Sequence, residues 1–358
     1  LFVHFVFGIN NRERIFILEI YIGLMVRLNG RAIAVLILFV ILLFHGLTTL
    51  AEDGSNAKNK PDIVLLTVDS LRSDYIDCKS NFSNTPNLCE LENDSVSFSE
   101  GYSHASFTPA AMSSVMTGDY PWNVGVTDME DGEITNETKT LAEILKDEGY
   151  FNTGLYEIGA LSPEYGFDRG FDVYELNADR TFEYSDLENM NQEKPQFTYL
   201  HLFGPHQPFR TSENCIEFSR KLRDTPEKGI EEVKPEYRSN FSKEKAEQCY
   251  SKAVENVDDR IGELVAKLKE KNSYSDSLII FTADHGEGLW DNGKLFQHSY
   301  SLHEEQINIP YYVKFPENRY SSVSVDGSKA RHVDLLPTIA DYMGIEVESS
   351  GESLLPVI

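Results

Sequence analysis

The stretch Asp62–Val68, DIVLLTV, decides the fold. It is a nearly unbroken run of β-branched and aliphatic residues, which is typical of a strand buried on both faces of a sheet. Three later runs have the same character: Phe197–Phe203, Ser277–Thr282 and Ile309–Phe315. Helical patterns lie between them, over Thr140–Lys146, which starts with a TxxE capping box, and over Glu244–Lys271. This alternation predicts an α/β domain with a mostly parallel central sheet flanked by helices.

The N-terminal region differs in composition from the rest of the chain. Arg27 and Arg31 precede an uncharged run, Ala32–Ala51, of about the length that spans a bilayer. We expect residues 25–58 to be a signal peptide or a membrane anchor with its linker, so that the domain at 59–358 is exported or membrane-anchored, outside the cytoplasm. Residues 1–24 precede Met25 and are interpreted as a spurious extension from a misread start.

The net charge limits the expected binding partners, and the cysteine content limits the disulfides that can form. The net charge of -26, without a cluster of basic residues, excludes nucleic acid as the expected partner. Four cysteines follow the apolar segment and allow three pairings in an oxidising compartment. The sequence-local pairing joins Cys78 to Cys89 and Cys215 to Cys249, and free buried thiols are the alternative.

Polar side chains follow three of the predicted strands. Asp69 follows the first strand, His206 follows the second within GPHQPF, and Asp284 and His285 follow the third within TADHGE. The carboxyl ends of parallel strands meet at one edge of a sheet, so these groups are expected to converge there. Carboxylates and one imidazole suit a divalent cation such as Mg²⁺, Mn²⁺, Ca²⁺ or Zn²⁺. Asp69, Asp284 and His285 are therefore the predicted metal ligands.

Thr108 begins a segment, TPAAMSSVMTG, that is predicted to be a helix with Thr108 at the N-cap and Pro109 at the first helical position. A plain capping role is one interpretation of this threonine. A helix N-terminus also gathers free N–H groups, which stabilise an alkoxide or a bound anion. Beside a metal, Thr108 is thus a candidate nucleophile and an additional metal ligand.

Three further side chains complete the candidate site. His206 and His298 lie in loops, and either can bind developing negative charge or protonate a leaving oxygen. Arg72 follows the first strand closely and is a candidate for binding a substrate anion, with a structural salt bridge as the alternative. Of the other histidines, His104, His201, His303 and His332 are interpreted as structural or surface residues.

From about Lys60 onward, the order of motifs resembles that of the sulfatase family, a branch of the alkaline phosphatase superfamily. The motifs are PDIVLLTVDSLRSD, TPNL, SFTPAAMSSVMTGDYP, LAEILKDEGY, SPEYGFDRGFD, GPHQPF, VDDRIGELV, FTADHGEG and HVDLLPTIADYMG. The resemblance implies a three-layer, alkaline-phosphatase-like α/β domain with one metal at the rim of its sheet. It places Asp69, Asp284 and His285 at metal-ligand positions and Thr108 at the position of the modified cysteine. It also places His206 and His298 against the ester group.

The departures from this pattern concern the reaction. Sulfatases read C-x-P-x-R where this chain has Thr108–Met112, TPAAM, so no formylglycine is expected. GLYEIG occupies Gly154–Gly159, where the family has GKWHLG, and Ser70 stands in place of a second aspartate. A threonine ester lacks the second hydroxyl with which hydrated formylglycine expels sulfate. A threonine phosphate can instead be attacked at phosphorus by water or by an alcohol.

The expected function is a metal-dependent hydrolase of sulfate or phosphate esters that uses Thr108 on a small-molecule, glycan or lipid ester. One alternative is a membrane-proximal phosphodiesterase or a transferase of the phosphoglycerol or phosphoethanolamine type. A non-catalytic sulfatase-like protein is the other. The sequence ends with GESLLPVI, where sulfatases usually continue into a small C-terminal subdomain, so we expect the domain to be either minimal or truncated.

Overall fold

The computed structural model describes residues 60–358, except 77, 79–83, 129–131, 179–193, 224–242, 292–295 and 300. The predictions for residues 1–24 and 25–58 lie outside the described residues. Among the helices of the described part, none combines the length and the apolar character needed to cross a bilayer.

An eight-stranded sheet forms the centre of the domain. The strands are β1 (Ile63–Val68), β2 (Val96–Tyr102), β3 (Phe151–Tyr156), β4 (Val173–Leu176), β5 (Gln196–Leu202), β6 (Leu278–Ala283), β9 (Tyr311–Lys314) and β10 (Val323–Arg331), while β7 (Gly288–Leu289) and β8 (Phe296–Gln297) pair separately. Their order in the sheet is β10-β2-β9-β6-β1-β5-β3-β4. Only β9 runs antiparallel to its neighbours. The prediction of a mostly parallel sheet is confirmed.

Helices cover both faces of this sheet. They are α1 (Pro86–Asn93), α2 (Thr108–Thr117), α3 (Leu141–Asp147), α4 (Glu213–Arg223), α5 (Lys243–Glu270), α6 (Glu304–Ile307) and α7 (His332–Met343). Alternate residues of β1 belong to two different cores: Ile63 and Leu65 pack with residues of α2, α3 and α7, whereas Val64 and Leu66 pack with residues of α1 and α5. Because successive side chains of a strand point to opposite faces, the domain has three layers, as predicted.

The four strands that were predicted from apolar runs are all present in the structure. β1, β5, β6 and β9 lie within one or two residues of their predicted bounds, and every residue of these four strands is buried. The sequence reasoning did not find β2, β3, β4 and β10. β10, Val323–Arg331, is an edge strand in which most residues are exposed or half-buried, so its sequence, VSVDGSKAR, lacks an apolar run.

Both helices predicted from local pattern are present. α3 begins after Thr140, whose hydroxyl accepts the N–H of Glu143 at 3.2 Å while the Glu143 carboxylate accepts the N–H of Thr140 at 2.9 Å. The predicted capping box is thus confirmed. α5 extends over Lys243–Glu270, close to the predicted range, and buries one face against the sheet.

Asp258 in α5 provides the missing cap of another helix. α1 receives no side-chain hydrogen bond from its own N-cap residue. Instead, the buried carboxylate of Asp258 accepts the N–H of Leu88 at 2.7 Å, the N–H of Asn87 at 3.2 Å and the Asn87 amide nitrogen at 2.8 Å. These bonds satisfy free N–H groups of the first turn and fasten α1 to α5.

Two disulfides are present, and they follow the sequence-local pairing. Cys78 bonds to Cys89, and Cys215 bonds to Cys249. The second disulfide joins α4 to α5 across a sequence separation of 34 residues. The alternative of free buried thiols is wrong, because the structure contains none among these four cysteines.

We expect Asp258→Asn to destabilise the protein by about 2 kcal/mol. The carboxylate accepts hydrogen bonds from buried N–H groups, whereas the amide that replaces it carries N–H groups of its own, which cannot accept them. The matched control is Asp259→Asn at the exposed next position of α5, which should change stability by less than about 0.5 kcal/mol. Urea unfolding monitored by circular dichroism measures both values. Equal losses in the two variants would show that the cap contributes nothing.

Candidate active site

Two aspartates follow neighbouring strands at the carboxyl edge of the sheet. β1 and β6 pair in parallel up to Val68 and Ala283, and the next residue on each strand is an aspartate. The Asp69 N–H donates to the Leu202 carbonyl oxygen at 3.0 Å, and the Asp284 N–H donates to the Val68 carbonyl oxygen at 3.2 Å. The strand ladders therefore extend into the site and hold both carboxylates at one edge.

The inner oxygens of both carboxylates are bound by the short turn after β1. The Ser70 hydroxyl donates to Asp69 Oδ1 at 2.9 Å, and the Ser70 N–H donates to Asp284 Oδ1 at 2.9 Å. Ser70 has a left-handed backbone with φ 61°, a conformation that costs a non-glycine residue free energy and recurs at functional sites. Ser70 therefore orients the two acidic groups, but it cannot supply the second carboxylate that the family resemblance implies at this position.

The outer oxygens of the same carboxylates have the properties expected of metal ligands. Asp69 Oδ2 and Asp284 Oδ2 are buried and have no hydrogen-bond partner. Burial and the neighbouring Asp284 raise the pKa of Asp69 well above its ordinary value. Two buried carboxylates with unpartnered oxygens need a cation or a proton between them. The described residues thus fit the predicted divalent ion.

His285 lies beside the two carboxylates, as predicted. Its Nε2 atom is 3.4 Å from Asp284 Oδ2 and 3.9 Å from Asp69 Oδ1. The side chain is fully buried, and desolvation lowers its pKa. A neutral imidazole is the form that binds metals.

Thr108 faces the same point from the start of α2. Its Oγ1 atom is 3.4 Å from His285 Nε2, and the residue is buried. The predicted N-cap position is wrong by one residue, because Phe107 has the extended backbone of the cap and Thr108 is the first residue inside the helix. The Thr108 hydroxyl is consequently not used to cap α2 and points to the acidic groups instead.

His201 also belongs to this cluster, although the sequence interpretation left it as a structural or surface residue. It lies in β5, paired with Thr67 of β1, and is fully buried. Ligand atoms of Asp69, His201 and Asp284 all lie within 4.8 Å of one another. The signal that indicates this role is a histidine within the apolar run FTYLHLF, where a buried polar group requires a partner.

The two loop histidines of the predicted site, His206 and His298, lie next to each other. The ring centroids of His206 and His298 are 4.8 Å apart, and those of His298 and His285 are 4.4 Å apart. His298 Nδ1 lies 3.2 Å from a carboxylate oxygen of Glu287, a fully buried residue that the sequence reasoning missed. Burial raises the pKa of Glu287 to about 7 and lowers the pKa of His298 to about 3. A carboxylate behind a neutral histidine fixes the orientation of its ring.

Arg72 occupies a different place from the predicted anion-binding position. Its guanidinium donates to both carboxylate oxygens of Asp74 and of Asp291, and to the carbonyl oxygen of Glu287. These contacts use all five of its N–H groups. The structure therefore supports the alternative reading, a structural salt bridge, in which Arg72 fastens the segment that carries Glu287.

The comparisons with known proteins agree with this architecture. Residues 61–345 match the family model described as Sulfatase. The chain belongs to the sulfatase family. Sulfatases are ester-bond hydrolases, so the predictions of family and enzyme class are confirmed, whereas the roles of the individual site residues remain predictions.

Among its relatives, the chain is 23% identical to an ulvan-active sulfatase of Formosa agariphila, over 92% of this chain and 70% of that protein. It is 22% identical to the choline-sulfatase of Rhizobium meliloti, over 84% and 72%. The phosphonate monoester hydrolase of Agrobacterium radiobacter has a similar fold, with a TM-score of 0.67 over 83% of this chain and 77% of that one at 18% identity.

We expect Arg72→Lys to lower stability by about 2–3 kcal/mol, because a lysine cannot reproduce a five-bond network that joins two carboxylates. The exposed Arg220 on α4 provides the control Arg220→Lys, which should leave the unfolding midpoint unchanged. Thermal unfolding distinguishes the two roles of Arg72. An unchanged midpoint, combined with a raised KM for anionic esters, would favour direct substrate binding.

Proposed function

We propose that the protein is a metal-dependent ester hydrolase in which Thr108 is the nucleophile. The observation that carries this proposal is the position of the Thr108 hydroxyl, 3.4 Å from His285 Nε2 and beside two buried carboxylates with unpartnered oxygens. Asp69, Asp284 and His285 would hold the divalent ion, with Thr108 as a further ligand. When bound, such an ion lowers the pKa of a hydroxyl and polarises the ester oxygen.

The protein groups around Thr108 have complementary tasks. Thr108 is the first residue of α2, so the free N–H groups of the first turn and the positive end of the helix dipole would stabilise a tetrahedral anion bound beside it. His298, whose Nδ1 atom lies 3.2 Å from the Glu287 carboxylate, would accept a proton from the attacking water of the second step. His206, whose ring centroid is 4.8 Å from that of His298, would protonate the leaving oxygen.

We infer that phosphoesters are better substrates than sulfate esters. A threonine ester has no second hydroxyl, so its intermediate must be released by direct attack of water, which phosphorus permits. The likeness to the phosphonate monoester hydrolase fold supports this choice. The sulfatases of ulvan and choline among the relatives support sulfate esters, which are the second candidate. The transferase alternative depended on the N-terminal segment and stays a prediction.

The nucleophile is tested with Thr108→Ala and Thr108→Ser. We expect the alanine variant to lose at least about 10³-fold in kcat and the serine variant to retain measurable turnover, because it keeps the hydroxyl. The substrates are an aryl sulfate, an aryl phosphate and an aryl phosphodiester, each with several divalent ions, and mass spectrometry searches for an adduct on Thr108. Full activity of the alanine variant would refute the proposal.

The metal site is tested with Asp69→Asn and the exposed control Asp259→Asn. After treatment with a chelator, a divalent ion at 100 times its Kd should stabilise the wild type and the control by about 2.7 kcal/mol. Asp69→Asn should lose this gain, yet be more stable than the wild type without metal, because the repulsion between two buried carboxylates is removed. An unchanged metal response in Asp69→Asn would exclude Asp69 as a ligand.

A further inference from the structure

His201 presents a nitrogen to the site that nothing else in the described residues uses. Its side chain is fully buried, and its Nε2 atom has no hydrogen-bond partner. The other ring nitrogen, Nδ1, lies 2.8 Å from the Thr67 hydroxyl. This hydroxyl lies 3.3 Å from the Leu200 carbonyl oxygen, to which it can only donate. When the hydroxyl donates to Leu200, its oxygen accepts the proton of Nδ1, and Nε2 keeps a lone pair.

His285 is held in the same tautomer by a different group. Its Nδ1 atom lies 2.8 Å from the Gly286 carbonyl oxygen, which can only accept, so Nδ1 carries the proton. Its Nε2 lone pair is directed toward Asp284 Oδ2, 3.4 Å away. Both imidazoles thus lie beside the same two carboxylates: ligand atoms of Asp69, His201 and Asp284 lie within 4.8 Å of one another, and His285 Nε2 lies 3.9 Å from Asp69 Oδ1 and 3.4 Å from Asp284 Oδ2.

Two imidazole nitrogens and two carboxylate oxygens are ligands that some divalent metals prefer over others. Mg²⁺ and Ca²⁺ prefer sites built from oxygen atoms, whereas neutral imidazole favours the later first-row transition metals and Zn²⁺. A site with two histidines and two carboxylates has the ligand types of catalytic zinc sites. We propose that His201 is a metal ligand, oriented by Thr67, and that it makes the site selective for Zn²⁺ over Mg²⁺ and Ca²⁺.

This inference rests on the proposed metal-dependent function, but it is tested without substrate. The chelator-treated protein is titrated with Zn²⁺, Mg²⁺ and Ca²⁺ in competition with a chromophoric chelator, and the visible spectrum of the Co²⁺-substituted protein reports its coordination. We expect the wild type to bind Zn²⁺ at least about 10³-fold more tightly than Mg²⁺. Comparable affinities for Zn²⁺ and Mg²⁺ would overturn the proposal.

Three variants assign this selectivity to His201. His201→Gln replaces the nitrogen by an amide oxygen and should weaken Zn²⁺ binding by about 100-fold with little effect on Mg²⁺. Thr67→Val removes the hydroxyl that orients the ring and keeps the shape of the side chain, and it should weaken Zn²⁺ binding by about 10-fold. His303→Gln, at an exposed histidine, is the control and should bind Zn²⁺ like the wild type.

Unchanged Zn²⁺ affinity in His201→Gln would overturn the role of His201. If that variant does not fold, Thr67→Val and the Co²⁺ spectrum of the wild type decide, and a spectrum typical of six oxygen ligands contradicts the proposal. The outcome is independent of the nucleophile. An active Thr108→Ala variant would refute the proposed role of Thr108 and leave the metal selectivity intact.

Discussion

The close approach of two buried carboxylates, those of Asp69 and Asp284, is the constraint on which the site depends. Parallel pairing of β1 with β6 places them side by side, because each follows the last residue of its strand. Two like charges in a medium of low dielectric repel strongly, and burial adds the cost of desolvation. A bound cation would offset both penalties, so the suitability of this site for a metal follows from where two strands end.

The layer formed by α5 stabilises this arrangement from behind. The Tyr250 hydroxyl donates to the Ser70 carbonyl oxygen at 2.6 Å and accepts the backbone N–H of Arg72 at 2.8 Å. Arg72 in turn binds Asp291 and the backbone of Glu287. One helix thus fixes both the turn that orients the carboxylates and the segment that orients His298. The rigidity of the site depends on the packing of α5.

The parts of the molecule that sequence reasoning predicted are those encoded by short local patterns. β1, β5 and β6 are apolar because both of their faces are covered, and the aspartates at the ends of β1 and β6 follow from that. His201 was missed because its role depends on the register between β5 and β1. Glu287 and the true partners of Arg72 depend on how the chain folds back between Gly286 and Asp291, which no local pattern encodes.

The interactions of Arg72 and His298 within the protein limit which groups can bind an anionic ester. The guanidinium of Arg72 is used within the protein, and desolvation keeps the nearby His298 neutral. The N–H groups at the start of α2 would attract an anion, and so would a divalent ion bound between the aspartates. If Thr108 is the nucleophile, the metal site, the anion site and the nucleophile share the same few atoms. Loss of the metal would then abolish substrate binding together with catalysis.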